Sequence, residues 1–284
     1  MSVPNSEMGS KADSEKVRQP VVAGQFYPGD PDSLQVQVES YLQPEPPLSG
    51  VIGAVIPHAG YIYSGAVAGE TVSVLNVPDR VLILGPNHTG WGPEISVYSG
   101  RSWHMPFGEV RIDADLADQI LEYAPGATAD IMAHSQEHSI EVLLPFLYYA
   151  RQEEFTFVPV TISRISSEAC RDLGSSLARI IENSGEDILV VASSDMTHHE
   201  SHSSAEKKDG AAIERILDLD PDGLIDIVSA RKISMCGIMP TAVMLHITSA
   251  LGASRAKLIK YSTSGEVSGD YDQVVGYAGI VVQK

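Results

Sequence analysis

Ala54-Val-Ile-Pro-His-Ala-Gly-Tyr-Ile-Tyr-Ser-Gly65 closes an apolar run that begins at Val51, and Pro57 breaks that run one residue before His58. A short apolar run bounded by proline and glycine reads as a buried strand that stops abruptly. It delivers a histidine just past its carboxyl end, the edge at which open α/β sheets bind their ligands. The pattern recurs twice. Arg80-Val-Leu-Ile-Leu84 runs into Gly85-Pro-Asn-His88, and Asp187-Ile-Leu-Val-Val-Ala-Ser193 runs into Ser194-Asp-Met-Thr-His-His199. Three apolar strands, far apart in the chain, each end in histidine.

Working outward, helical spacing fills residues 32–42 (N-cap Asp30 or Asp32), 64–75, 114–123, 137–150, 166–183, 204–217, 221–230 and 240–251. Further strands are expected at 95–98, 155–162, 257–262 and 274–282. Residues 87–107, rich in Gly, Trp and Tyr, read as a long loop or hairpin over the strand ends. Strands alternating with helices predict a three-layer α/β/α sandwich around a mostly parallel or mixed sheet. Residues 1–17 are expected to be a disordered polar arm, and 18–284 a single domain.

The composition narrows the function classes. Nineteen Lys and Arg stand against 37 Asp and Glu, a net charge of −18. Such a surface repels phosphate backbones and anionic bilayers, so neither nucleic acid nor a membrane is expected as a partner. No apolar run approaches the roughly 20 residues of a membrane span, and the first residues lack a signal-peptide core. Two cysteines, Cys170 and Cys236, make no disulfide framework and suit a reducing cytoplasm. The glycine-rich nucleotide loops, Gly-x-Ser-x-Gly and His-Glu-x-x-His are all missing.

What remains is a set of imidazoles, carboxylates and one thiol. His58 and His88, each after a strand and beside glycines, suit a metal pair if their strands are neighbours; otherwise each caps its strand through a carbonyl. Cys236, in Ser234-Met-Cys-Gly-Ile-Met-Pro240, precedes a helix whose positive end is expected to favour the thiolate, as metal ligand or nucleophile. Asp195 and His198, three apart, are candidates for a proton-moving pair, with a hydrogen-bonded loop as the plainer reading. Glu137, His138 and Glu141 are expected to open a helix, with His138 and Glu141 on one face, as capping, supporting or substrate-positioning groups.

Together these motifs resemble the Memo family, whose prokaryotic members are called AmmeMemoRadiSam system protein B. The resemblance runs from Arg18 to the C-terminus. It rests on Ala23-Gly-Gln-Phe-Tyr-Pro28, Pro57-His-Ala-Gly-Tyr61, Gly85-Pro-Asn-His88, Glu137-His-Ser-Ile-Glu141, Ser193-Ser-Asp195 with His198, and Cys236-Gly237 with Pro240. The family in turn resembles class III extradiol dioxygenases of the LigB type, which hold Fe(II) on two histidines and a glutamate beside a catalytic histidine. The resemblance implies His58 and His88 as the histidine ligands, Cys236 in place of the glutamate, and His198 in place of the acid/base, with Asp195, Glu137 and His138 at the same pocket. A thiolate in that position softens the site toward copper or redox-active iron, and departs from ring-cleaving enzymes. The expected function is oxygen-dependent redox chemistry on a small molecule. The alternative is a peptide- or protein-binding module built on the same fold. The family name implies a pathway link to a radical-SAM protein.

Overall fold

The structure is a computed structural model and describes residues 16–284, so the arm expected over 1–17 lies outside the described residues except for its last two. Val17 already belongs to a strand, one residue ahead of the expected start of order. In chain order the strands are β1 (Val17–Arg18), β2 (Val51–Ile56), β3 (Arg80–Pro86), β4 (Ile95–Tyr98), β5 (Ser102–Met105), β6 (Gly108–Ile112), β7 (Ala127–Asp130), β8 (Thr156–Ile162), β9 (Ile188–Ser193), β10 (His198–Glu200), β11 (Arg255–Thr263) and β12 (Val274–Gln283). The helices are α1 (Pro31–Tyr41), α2 (Tyr61–Ser73), α3 (Ala114–Tyr123), α4 (Met132–Ser135), α5 (Leu144–Arg151), α6 (Ser167–Ser184), α7 (His202–Leu217), α8 (Pro221–Arg231), α9 (Ile238–Ala250) and α10 (Gly265–Ser268).

Strands β8, β3, β9 and β2 lie side by side and parallel at the centre of the sheet. Strand β6 extends this run parallel to β8, while β12 and then β11 continue antiparallel beyond β2. The central strands are apolar on both faces because helices cover both. Ala54, Ile56, Val81, Ile83, Leu189 and Val191 point to one side, where α1, α2 and α5 pack. Val55, Leu82, Leu84, Val190 and Ala192 point to the other, against α3, α6 and α9. The strict alternation is the two-residue period of a strand. Each fully buried Val, Leu or Ile side chain contributes about 1.5–3 kcal/mol. The result is the expected α/β/α sandwich on a mixed sheet.

Helix boundaries follow their caps. Asp30 accepts from Ser33 N–H ahead of Pro31, and Ser166 accepts from Ala169 N–H to open α6. The same helix ends at Gly185, whose φ of +65° is a left-handed stop that glycine adopts without strain.

One expectation, the helix opening at Glu137, needs correction, and the neighbouring-strand condition set for the histidine pair is not met. Strands β2 and β3 are not neighbours: β9 lies between them, its Val190 registered with both Gly53 and Leu82. The stretch 87–107 is a loop over 87–94, then β4 at the expected 95–98, paired antiparallel with β8, and the β5–β6 hairpin, which buries Trp103. The helix expected to open at Glu137 instead begins with a 3-10 turn at Glu141–Leu143 that leads into α5. The Glu137 carboxylate instead bonds His88, His138 and Ser139. Among the described residues, no helix is long and apolar enough to cross a membrane.

Candidate metal centre

The carboxyl ends of β2, β9 and β3 are level, with Ile56 beside Ser193 and Leu84 beside Ala192. His58, Asp195 and His88 therefore emerge at one edge, and β9 contributes from between the two histidines. Nδ1 of His58 lies 2.7 Å from Ser193 Oγ. That hydroxyl gives its one proton to the Ser139 carbonyl, also at 2.7 Å, so it accepts from His58 and Nδ1 carries the hydrogen. Nε2 is left with its lone pair, 3.4 Å from Cys236 Sγ.

His88 is fixed by a different partner to the same effect. Nδ1 lies 2.9 Å from Glu137 Oε1, and its backbone N–H donates to Oε2 at 2.6 Å. The same carboxylate accepts from the N–H groups of His138 and Ser139. Burial works against the Glu137 anion, yet the His88 hydrogen bond and charge together with these backbone donors hold it down to about 2. A carboxylate accepts only, so His88 also presents Nε2 as its lone-pair nitrogen. The reverse tuning acts on the imidazoles. Burial, reinforced by His138 and His88, pushes His58 well below the usual range, whereas Glu137 outweighs burial and raises His88.

Cys236 sits one residue before the N-cap Gly237 of α9 and accepts Asp195 N–H at 3.2 Å. The expected depression of its thiol pKa is overturned: burial, with the nearby Asp195 carboxyl, pushes it up. Desolvation outweighs the dipole of the helix end. The ligand atoms of His58, His88 and Cys236 all lie within 4.8 Å of one another. Two donors on one tetrahedral ion at about 2.1 and 2.3 Å stand about 3.6 Å apart. The 3.4 Å between Nε2 and Sγ matches that spacing, so these residues fit a metal ion.

Asp195 and His198 are not hydrogen-bonded to each other; backbone groups hold each of them, as in the plainer reading of their spacing. Asp195 Oδ1 accepts the backbone N–H of His58 at 2.8 Å, and burial raises this carboxyl. His198 Nδ1 lies 2.9 Å from the Ser234 carbonyl, and its N–H donates to Ser234 Oγ at 2.7 Å. His138 stacks on His88 with centroids 5.0 Å apart and meets the edge of Phe26, also at 5.0 Å, so it does line the crevice. Its pKa falls, burial being the main cause.

Glu141 does not. Its fully buried carboxylate accepts from Val21 N–H, Val22 N–H and the Tyr27 hydroxyl, and pairs with Arg18 at 2.7 Å. Arg18 in turn donates to the carbonyls of His134 and Glu137 and lies 4.0 Å over the Trp103 ring. Glu141 thus anchors the segment 18–27 that carries Phe26. The sequence reading gave no role to Ser193, Ser139, Ser234 or Arg18. Hydroxyl partners leave no spacing signal, although Ser193 and Ser234 flank the motifs that were noticed. A cavity of about 770 Å³ lies at the opposite end of the sheet, between residues 47–52 and 185–189, and contains none of the candidate site residues.

A family model described as Memo-like protein matches residues 18–281. A MEMO1 family protein of Methanopyrus kandleri is 44% identical over 280 residues, covering 94% of this chain and 99% of its own. Similar proteins of Methanosarcina barkeri and Aquifex aeolicus are each 41% identical and cover 94% of this chain, and 100% and 99% of their own. Among solved structures, the uncharacterized protein JW3007 from Escherichia coli K12 aligns with a TM-score of 0.55 at 14% identity, over 81% of this chain and 98% of that one. At that identity the likeness speaks for the fold alone.

Proposed function

The chain belongs to the Memo-like protein family, and from that premise we propose that His58, His88 and Cys236 hold one metal ion, iron or copper, for oxygen-dependent redox chemistry on a small substrate. One observation carries the reading. Two imidazoles are each locked, by Ser193 and by Glu137, with the lone pair on Nε2, and a thiol lies within ligand distance of both. Metal-binding histidines are commonly held this way through their second nitrogen. A thiol pushed up by burial needs a nearby cation to ionise, and two neutral imidazoles with a thiolate suit a soft, redox-active ion. The bound ion would supply Lewis acidity and electron transfer at its open positions.

The chain's own residues supply the rest. His198, with its proton on Nδ1 toward Ser234, offers Nε2 to take a proton from a substrate. Asp195, a raised and buried carboxyl, holds the His58 backbone in place and supplies a second proton store. Phe26 and His138 form one wall of the crevice. The pattern resembles the LigB-type set with Cys236 in the glutamate position. Geometry favours this over a nucleophilic role for Cys236 assisted by His198, because the imidazole at hydrogen-bond distance from Sγ is that of His58.

The test is elemental analysis of full-length protein purified without chelators or affinity-tag metal, beside His58→Ala and Cys236→Ser. About one iron or copper per chain, lost in both variants, is the expected result. Full retention in the variants overturns the ligand set. A second reading, a binding module, draws on Trp91, Ile62 and Tyr63, exposed apolar side chains within five residues of His58 or His88. It would be favoured by a partner that metal-site variants still bind.

A further inference from the structure

Helix α7 contains Asp209-Gly210 in its interior, two residues that weaken helices, and Asp209 is completely buried. A local conflict of this kind persists where another interaction compensates for it. Asp209 Oδ1 accepts the backbone N–H of Thr197 at 2.9 Å, and Oδ2 accepts the Tyr261 hydroxyl from β11 at 2.8 Å. Oδ2 occupies the space a side chain at Gly276 would need, since a Cβ there would fall 2.0 Å from it. Gly276 grips the same segment from β12. It donates to the Thr197 carbonyl at 2.8 Å and accepts Met196 N–H at 2.9 Å. Both backbone polar groups of Thr197 are therefore fixed, one from the helix and one from the sheet. The next residue is His198, whose backbone and ring both bond to Ser234.

We propose that Asp209 is a positioning residue for His198. Its carboxylate sets the backbone of Thr197 so that the His198 ring reaches the Ser234 carbonyl and keeps its proton on Nδ1. This rests on the reading of His198 as the proton-moving group of the crevice. An apolar residue at 209 would leave the Thr197 N–H buried without an acceptor, and the segment would turn to satisfy it. Asparagine would keep an oxygen for Thr197 and offer its amide to the Tyr261 oxygen, which also accepts. The functional group required is thus an acceptor at one point in space, more than a charge.

Long-range proton–nitrogen spectra of the full chain labelled with nitrogen-15 histidine test this, with His198 assigned through His198→Gln. The wild type and Asp209→Asn are expected to show His198 as a single Nδ1–H tautomer. Asp209→Ala is expected to lose that pattern while remaining folded. Should that variant not fold, Gly276→Ala, which drives a methyl group against Oδ2, gives the alternative perturbation with the same expected loss. A folded Asp209→Ala or Gly276→Ala with unchanged His198 signals overturns the proposal. Metal uptake by the same proteins separates the two readings. A chain that takes up no metal but shows the His198 response overturns the metal centre alone.

Discussion

At Glu137 one carboxylate accepts four N–H groups, two from His88 and one each from His138 and Ser139. Those bonds orient His88 and fold residues 137–139 into the turn that takes the place of the expected helix. Glu137→Gln keeps the shape but must turn an N–H₂ toward one of these donors. Metal affinity is expected to fall about 10- to 100-fold, as for other supporting partners of metal-bound histidines, with the fold retained. A competition titration against a chelator measures it, and an unchanged Kd would contradict the anchoring of His88. The sequence exposed His58, His88 and Cys236 because abrupt strand ends and a glycine beside a thiol are visible in one dimension. It misjudged the thiol because burial depends on residues far away in the chain. Asp195 and His198 were noticed for their spacing, yet each bonds to a residue remote in sequence.

The segment 18–27, given no element by the sequence, is tied by Arg18 and Glu141 to the turn that holds Glu137 and to His134. His134 is fully buried in α4, with Nε2 3.2 Å from the Ser96 carbonyl and Nδ1 without a protein partner. Burial first, and the Arg18 charge second, push it down from 6.5 to about 3. The fold thus prefers neutral His134. The stability this contributes is complete above pH 6.5 and is lost as the pH falls from there toward 3, at up to about 1.4 kcal/mol per pH unit. Urea unfolding at pH 7 and pH 5 should show a smaller loss for His134→Gln than for the wild type. Equal losses would mean that the buried imidazole is not a source of acid sensitivity. The helices from α6 to α9 were legible within a few residues, because caps and apolar spacing are local signals. Strand β10 was not, since three residues carry too little pattern and their pairing with β12 is long-range.

For the whole molecule, the apolar runs revealed a parallel central sheet whose strand ends carry the histidines, but not the order of its strands. Consecutive strands are neighbours only about two-thirds of the time, and here β9 enters between β2 and β3 from more than 100 residues downstream. That insertion brings Ser193 and Asp195 between the two histidines, so the departure from simple order is what completes the site. The net charge of −18 is carried largely away from the crevice interior, where imidazoles outnumber acids. On the reading proposed above, one thiolate and two imidazoles share a metal ion at this edge. X-ray absorption of the metal-loaded wild type and Cys236→Ser tests it most directly. One sulfur and two imidazole scatterers are expected in the wild type, and the loss of sulfur in the variant. Metal bound through nitrogen and oxygen alone in the wild type would contradict it.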